Sequence, residues 1–127
     1  MAEHVELVGK VTRHEVAEWL GRFDVFLFPS TCEGCAGATQ EALSSGLPVV
    51  ASHNAGSTVR HELDGFLFDY DDITGFVEAL ERLDDDRSLL RRLGQSAANR
   101  ALEFGLDPYA ERLAEAMRRI LSRRFGP

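Results

Sequence analysis

Four short apolar runs, at residues 5–8, 25–28, 48–51 and 66–68, punctuate the first part of the chain. Each has strand length and is bounded by turn-forming residues. The segments between them differ. Thr12 with Glu15 three positions later makes a capping box, and Val16, Trp19, Leu20 and Phe23 follow at helical spacing, so a helix is expected from about Thr12. A second helix is expected over residues 37–45, with Gly46 as its stop signal. Residues 52–56 are turn formers, and a short helix is expected over residues 57–63 before Asp64-Gly65 turns the chain.

Beyond residue 70 the period is helical throughout. Asp71-Asp72 cap a helix reaching Leu83, with Phe76, Val77, Leu80 and Leu83 directed inward. Asp84 to Asp86 interrupt it, and another helix is expected over residues 88–104, stopping at Gly105. Asp107-Pro108 open a last helix with Leu113, Met117, Ile120 and Leu121 on one face. Strands that alternate with helices predict an α/β fold with a parallel sheet. The 25–28 run is apolar throughout, which predicts burial on both faces. We therefore expect one domain, or part of one, with alternation over residues 1–70 and helices over 71–127.

Composition changes this picture little. A chain of 127 residues with 44% apolar and 28% charged residues suits a globular domain that buries a core. A formal net charge of −7 argues against nucleic acid as the principal partner. No apolar run has the length of a membrane span, and Glu3, His4 and Glu6 interrupt any leader-like segment at the start. A cytoplasmic location is expected.

The chemistry concentrates between Pro29 and Ser52. An apolar strand enters a loop of small residues, the loop opens a helix, and a second strand follows. Backbone N–H groups at such a helix start face an anion, and small residues let it approach. Glu33 and Glu41 bracket the loop and the helix start, with seven residues between them. A carboxylate in that place can accept hydrogen bonds from sugar hydroxyls.

The string Pro29-Ser30, Glu33-Gly34, Glu41-Ala42, Gly46, Pro48-Val49-Val50 resembles the signature of the retaining glycosyltransferases called group 1, or family GT4, of the GT-B class. Val5 to Lys10, Asp24 to Pro29 and Leu63 to Phe68 resemble the looser family pattern on either side. The resemblance implies a Rossmann-like donor-binding domain, here in part, followed by C-terminal helices. It implies a nucleotide-diphosphate sugar as donor substrate, with no metal and no further cofactor. Glu33 would stand by the donor sugar as the catalytic carboxylate, and Glu41 would hold the ribose. Gly34, Cys35, Ala36, Gly37 and Ala38 would line the diphosphate and sugar, and Gly9 and Val11 would face the base. Many family members carry an aromatic-Gly pair where this chain has Cys35-Ala36, and a Gly-Gly-x-x-Glu where it has Asn54-Ala55-Gly56-Ser57.

The resemblance also implies that this chain is the later part of a C-terminal domain. The earlier strands, the cationic clamp on the diphosphate and the N-terminal acceptor domain find no match in it. The isolated chain is expected to be inactive in transfer. The 5–8 strand would lack a neighbour, so dimerisation, strand exchange or a rearranged sheet with 5–8 beside 25–28 is expected.

Other readings attach to particular residues. Cys32 and Cys35 form a C-x-x-C at a helix start, the place of a thiol redox pair. His53 and His61 would complete four zinc ligands, though their spacing is wider than a usual His pair. Ser30 and Thr31 have no partner histidine in a readable triad, so hydrolase chemistry is not supported. A non-catalytic nucleotide-binding or assembly module is the alternative to a transferase. Arg60, His61 and Glu62 read as surface residues. Arg118, Arg119, Arg123 and Arg124 end the last helix, where cations balance the helix dipole or meet an anionic membrane surface.

Overall fold

The computed structural model describes residues 4–125. Its sheet has three parallel strands in the order β1 (Phe26–Phe28), β2 (Val49–Ser52), β3 (Gly65–Phe68). Phe26 pairs with Val49, and Val49 in turn with Gly65. Helices α1 (Arg13–Leu20) and α2 (Gly37–Ser44) accompany the first two strands, and α3 (Ile73–Asp85), α4 (Arg87–Leu102) and α5 (Leu106–Phe125) follow the third. The α/β architecture with trailing helices is the one expected.

Strand β2 is the centre of the fold, and all four of its residues are buried. Its side chains alternate between faces. Val49 and Ala51 join Leu20, Leu43, Leu47 and Ala97 in one core cluster. Val50 joins Phe66, Phe76, Leu83, Leu89 and Leu93 in the other. Helix α4 contributes to both, which is why its apolar positions do not form a single stripe.

The local signals act as anticipated. The Thr12 hydroxyl accepts from the Glu15 N–H, and the Glu15 carboxylate accepts from the Thr12 N–H at 2.7 Å. Gly46 ends α2 at φ +75°. Asp72 caps α3 by accepting from the Gly75 N–H at 3.0 Å. Asp86 alone separates α3 from α4, ending one helix and capping the next through the Ser88 and Leu89 N–H groups. The Ser88 hydroxyl, donating at 2.6 Å, and then these N–H groups hold its carboxyl below the usual range. Helix α4 ends at Leu102 rather than 104, and α5 begins at Leu106, one residue before the expected cap.

Several expectations fail. Residues 5–8 form no strand, and Val5, Leu7 and Val8 are exposed. A four-residue run with no ladder partner leaves its N–H and C=O groups to water, so nothing fixes it as β. The rearranged sheet does not form either. Strand β1 is a half-covered edge, with Leu27 46% exposed, because the α3 face does not extend past β2. Residues 57–63 form no helix; Asp64 accepts the Arg60 N–H and binds its side chain, and this holds the segment in an irregular bend. Val77 lies on the solvent side of α3, and Ala79 takes the inward place. The Leu113, Met117, Ile120 and Leu121 stripe of α5 is 46–63% exposed, since no described element packs over it. The start of α5 is nevertheless held: Arg112 donates to the Glu103 carbonyl at 2.8 Å, and Arg100 lies 4.7 Å over the Phe104 ring.

Candidate functional site

The loop from β1 to α2 carries Glu33, Gly34, Cys35 and Ala36, and its shape comes from the neighbouring loop after β2. The Ser52 hydroxyl donates to the Ser30 carbonyl. Asn54 Nδ2 donates to the Thr31 carbonyl at 3.1 Å. The Glu33 N–H donates to the Asn54 carbonyl at 2.9 Å. Three bonds across more than twenty residues of sequence thus zip the two loops together at the C-terminal ends of adjacent parallel strands. Ligands of open α/β sheets bind at that end.

Gly56 closes the zip. It sits at φ +58°, and a Cβ there would lie 2.8 Å from the Gly34 carbonyl oxygen and 2.9 Å from that of Glu33. The sequence departs from the family pattern at residues 54–57, and this loop holds Glu33 through the Asn54 carbonyl. Gly56→Ala is expected to cost about 1–3 kcal/mol from the strained backbone and the clash. A fall in the denaturation midpoint checks this; an unchanged midpoint would mean that the loops are not held together.

Helix α2 begins at Gly37, and its N-cap residue Ala36 supplies no side-chain cap. The first-turn N–H groups of Gly37 and Ala38 therefore face outward for another acceptor. A Cβ at Gly34 or Gly37 would meet nothing within 4 Å, so the space above the helix start is open. Thr39 is buried and donates to the Ala36 carbonyl at 2.7 Å, tightening the first turn.

Glu41 lies one turn further on, exposed, at a groove of about 420 Å³ between α1 and α2. Val16, Ala17 and Leu20 give this groove an apolar wall, and Arg13 gives it a cation. Gly9, at φ +75°, and half-buried Val11 stand on the approach to α1, outside the lining of the groove. So the fold gathers Glu33, Gly34, Cys35, Ala36, Gly37, Ala38 and Glu41 on one loop and helix start, and leaves Gly9 and Val11 beside it.

The residues that fix this geometry were not singled out in the sequence. Ser52 read there only as a turn former, and Asn54 as a turn former within a stretch that departs from the family pattern. Gln40 donates to the Thr58 hydroxyl, and Arg100 from α4 donates to the Thr58 carbonyl at 3.1 Å. Arg60 is no mere surface residue. Its Nε and terminal nitrogen each donate to the buried Asp64 carboxylate at 2.8 Å, and the Ser96 hydroxyl adds a third side-chain bond at 2.7 Å. Burial pushes the Asp64 carboxyl up. The hydrogen bonds from Arg60 and Ser96 and the Arg60 charge outweigh it, so the group is held below its ordinary value. His61 Nδ1 accepts from the Leu67 N–H at 3.0 Å, along the outer edge of β3.

Cys32 and Cys35 are free and exposed. Among the described residues no three His, Cys, Asp or Glu side chains gather to hold a metal, so His53 and His61 do not join the cysteines in a zinc site.

Residues 1–86 match the family model of the glycosyl transferases group 1. The chain belongs to that family. It is 42% identical over 79 residues to a UDP-Gal:alpha-D-GlcNAc-diphosphoundecaprenol alpha-1,3-galactosyltransferase of Escherichia coli, a match that covers 61% of this chain and 20% of that protein. It is 32% identical over 125 residues to a D-inositol 3-phosphate glycosyltransferase of Thermobispora bispora, covering 97% of this chain and 29% of the relative. A sucrose-phosphate synthase from Thermosynechococcus elongatus superposes with a TM-score of 0.82 at 25% identity, over 95% of this chain and 31% of the synthase. The present group 1 chain thus spans a third or less of the length of these relatives. No described helix is long and apolar enough to cross a membrane.

Proposed function

We propose that this chain is the donor-binding part of a retaining glycosyltransferase that uses a nucleotide-diphosphate sugar. The observation that carries the reading is the placement of Glu33 and Glu41 on one loop and helix start, next to open glycine positions and an uncapped helix. Glu41 accepts hydrogen bonds from the ribose hydroxyls. The N–H groups of Gly37 and Ala38 take the diphosphate, where no Cβ of Gly34 or Gly37 obstructs it. Glu33 stands by the sugar, accepting its O–H groups or stabilising positive charge at the anomeric carbon. Gly9 and Val11 border the base. The Escherichia coli relative is named for a UDP-Gal donor, which makes UDP the first nucleotide to try.

In this reading the acceptor domain and the diphosphate clamp lie outside the chain, and the uncovered edge of β1 takes a strand from there or from a second copy. The chain works without a metal, on the cytoplasmic side. By itself it binds nucleotide and transfers no sugar.

Isothermal titration with UDP and GDP tests this. Saturable heat is expected with one of them, weakened at least about tenfold in Glu41→Ala, the loss of a charged hydrogen-bond acceptor. No sugar donor is expected to turn over. Equal affinity in wild type and Glu41→Ala would overturn the placement of the ribose.

A further inference from the structure

The C-x-x-C pair has no role in donor binding beyond the backbone at Cys35, yet its position is specific. Cys32 and Cys35 flank Glu33 and Gly34, the two residues whose carbonyl oxygens a Cβ at Gly56 would meet. Both thiols are free and exposed. The chain bends at Gly34 between them, and α2 starts two residues after Cys35. Disulfide geometry requires Cα atoms about 4.4–6.8 Å apart, a separation that a bend across four residues can reach. Gly34 has no neighbour within 4 Å of a would-be Cβ, so the tip of the loop has room to tighten.

We propose that Cys32 and Cys35 are a redox modification site, closing reversibly into a disulfide that reshapes the Glu33 loop. The oxidant is a small-molecule disulfide of the glutathione class. One cysteine thiolate attacks a glutathione sulfur and expels glutathione thiolate, which takes up a proton. The second cysteine then attacks the mixed disulfide at the protein sulfur, expelling the other glutathione. Two protein thiols are oxidised and one glutathione disulfide is reduced to two thiols. Reversal follows in excess reduced glutathione.

The structural consequence follows from the zip between the loops. A ring closed through sulfur fixes the dihedrals of Glu33 and Gly34. The Glu33 N–H lies inside that ring, so resetting the Glu33 dihedrals draws it off the Asn54 carbonyl. The carboxylate of Glu33 moves with its backbone. Weakened donor binding in the oxidised form rests on the functional reading above; the disulfide and the loop change do not.

The chain is equilibrated in glutathione buffers from fully reduced to fully oxidised. Intact mass is expected to fall by two hydrogens with no adduct, and to recover on reduction. Cys35→Ser is expected to show a single glutathione adduct instead. Amide exchange at Glu33 is expected to accelerate at least about tenfold in the oxidised form, as a protecting hydrogen bond is lost. UDP or GDP is expected to bind several-fold more weakly to the oxidised wild type, with Cys32→Ser, which removes the thiol outside the donor-binding set, matching the reduced wild type under reduction. Persistent thiols, or adducts on both cysteines without ring closure, would overturn the proposal. So would a disulfide that leaves Glu33 exchange unchanged. Ring closure with altered exchange, but no nucleotide binding in either state, would uphold the switch and sink the donor-binding reading.

Discussion

Gly65→Ala is expected to abolish the folded state. A Cβ at Gly65 would lie 1.9 Å from the Val49 carbonyl oxygen and 2.7 Å from its carbonyl carbon and nitrogen. These are backbone atoms of the central strand and cannot swing away as a side chain would. Gly65 also has φ +156°, at the edge of the region that favours glycine. Val49 is buried and paired on both sides, with Phe26 and with Gly65. Relief therefore requires β3 to leave β2, which exposes Phe66 and opens the cluster it shares with Val50 and Leu83. We expect a loss above about 4 kcal/mol, against a total of about 5–15 kcal/mol for an ordinary domain. Circular dichroism during thermal melting reads this directly. Gly37→Ala is the control, since its Cβ meets nothing and the helix start accepts alanine. A Gly65→Ala melting point within a few degrees of wild type would show that the two strands are not this close.

Asp64→Ala is expected to cost about 2–3 kcal/mol, because it leaves the Ser96 hydroxyl and the Arg60 N–H without an acceptor. The figure sits below that for a fully buried pair because the Arg60 side chain is 40% exposed and its charge still reaches water. The same group gives an acid dependence. The folded-state carboxyl is held below its ordinary value, so the unfolded chain takes up the proton first as pH falls. The stabilisation is complete above the unfolded value of about 3.9 and is lost as pH drops through the lower folded value. Denaturant titrations between pH 7 and pH 2 should show wild-type stability falling through this range. In Asp64→Ala the fall should be shallower, with the gap between the two proteins closing at the acid end. A gap that persisted undiminished to pH 2 would mean that the ionised carboxylate is not what holds the segment.

Asp64 also shows why the irregular segment was misread. Residues 57–63 hold no Gly or Pro that would bar a short helix, although Thr58 and Val59 are weak helix formers. The buried carboxylate that organises them is shared between Arg60 and Ser96, the latter thirty-two positions away on α4. Such a partner is invisible in a local pattern. The same holds for the Glu33 loop. Its place between a strand and a helix is legible from residues 25–45, whereas its conformation depends on Ser52, Asn54 and Gly56, whose bonds to it no local pattern shows. Strand 5–8 fails for the complementary reason. Its apolar pattern is sound, and a strand needs a ladder that the pattern cannot supply.

What the sequence determined by itself was the order of the strands and long helices from β1 onward, the caps at Thr12 and Asp72, the break near Asp86, and the two glutamates of the family string. Each of these depends on neighbours within a few residues, where side-chain period and backbone hydrogen bonding act directly. The tertiary structure alone decided that β1 is an edge, that the α5 stripe stays uncovered, and that two loops lock together beneath Glu33. Those outcomes depend on which surfaces meet across the sheet, and desolvation and close packing act only once the surfaces are in contact.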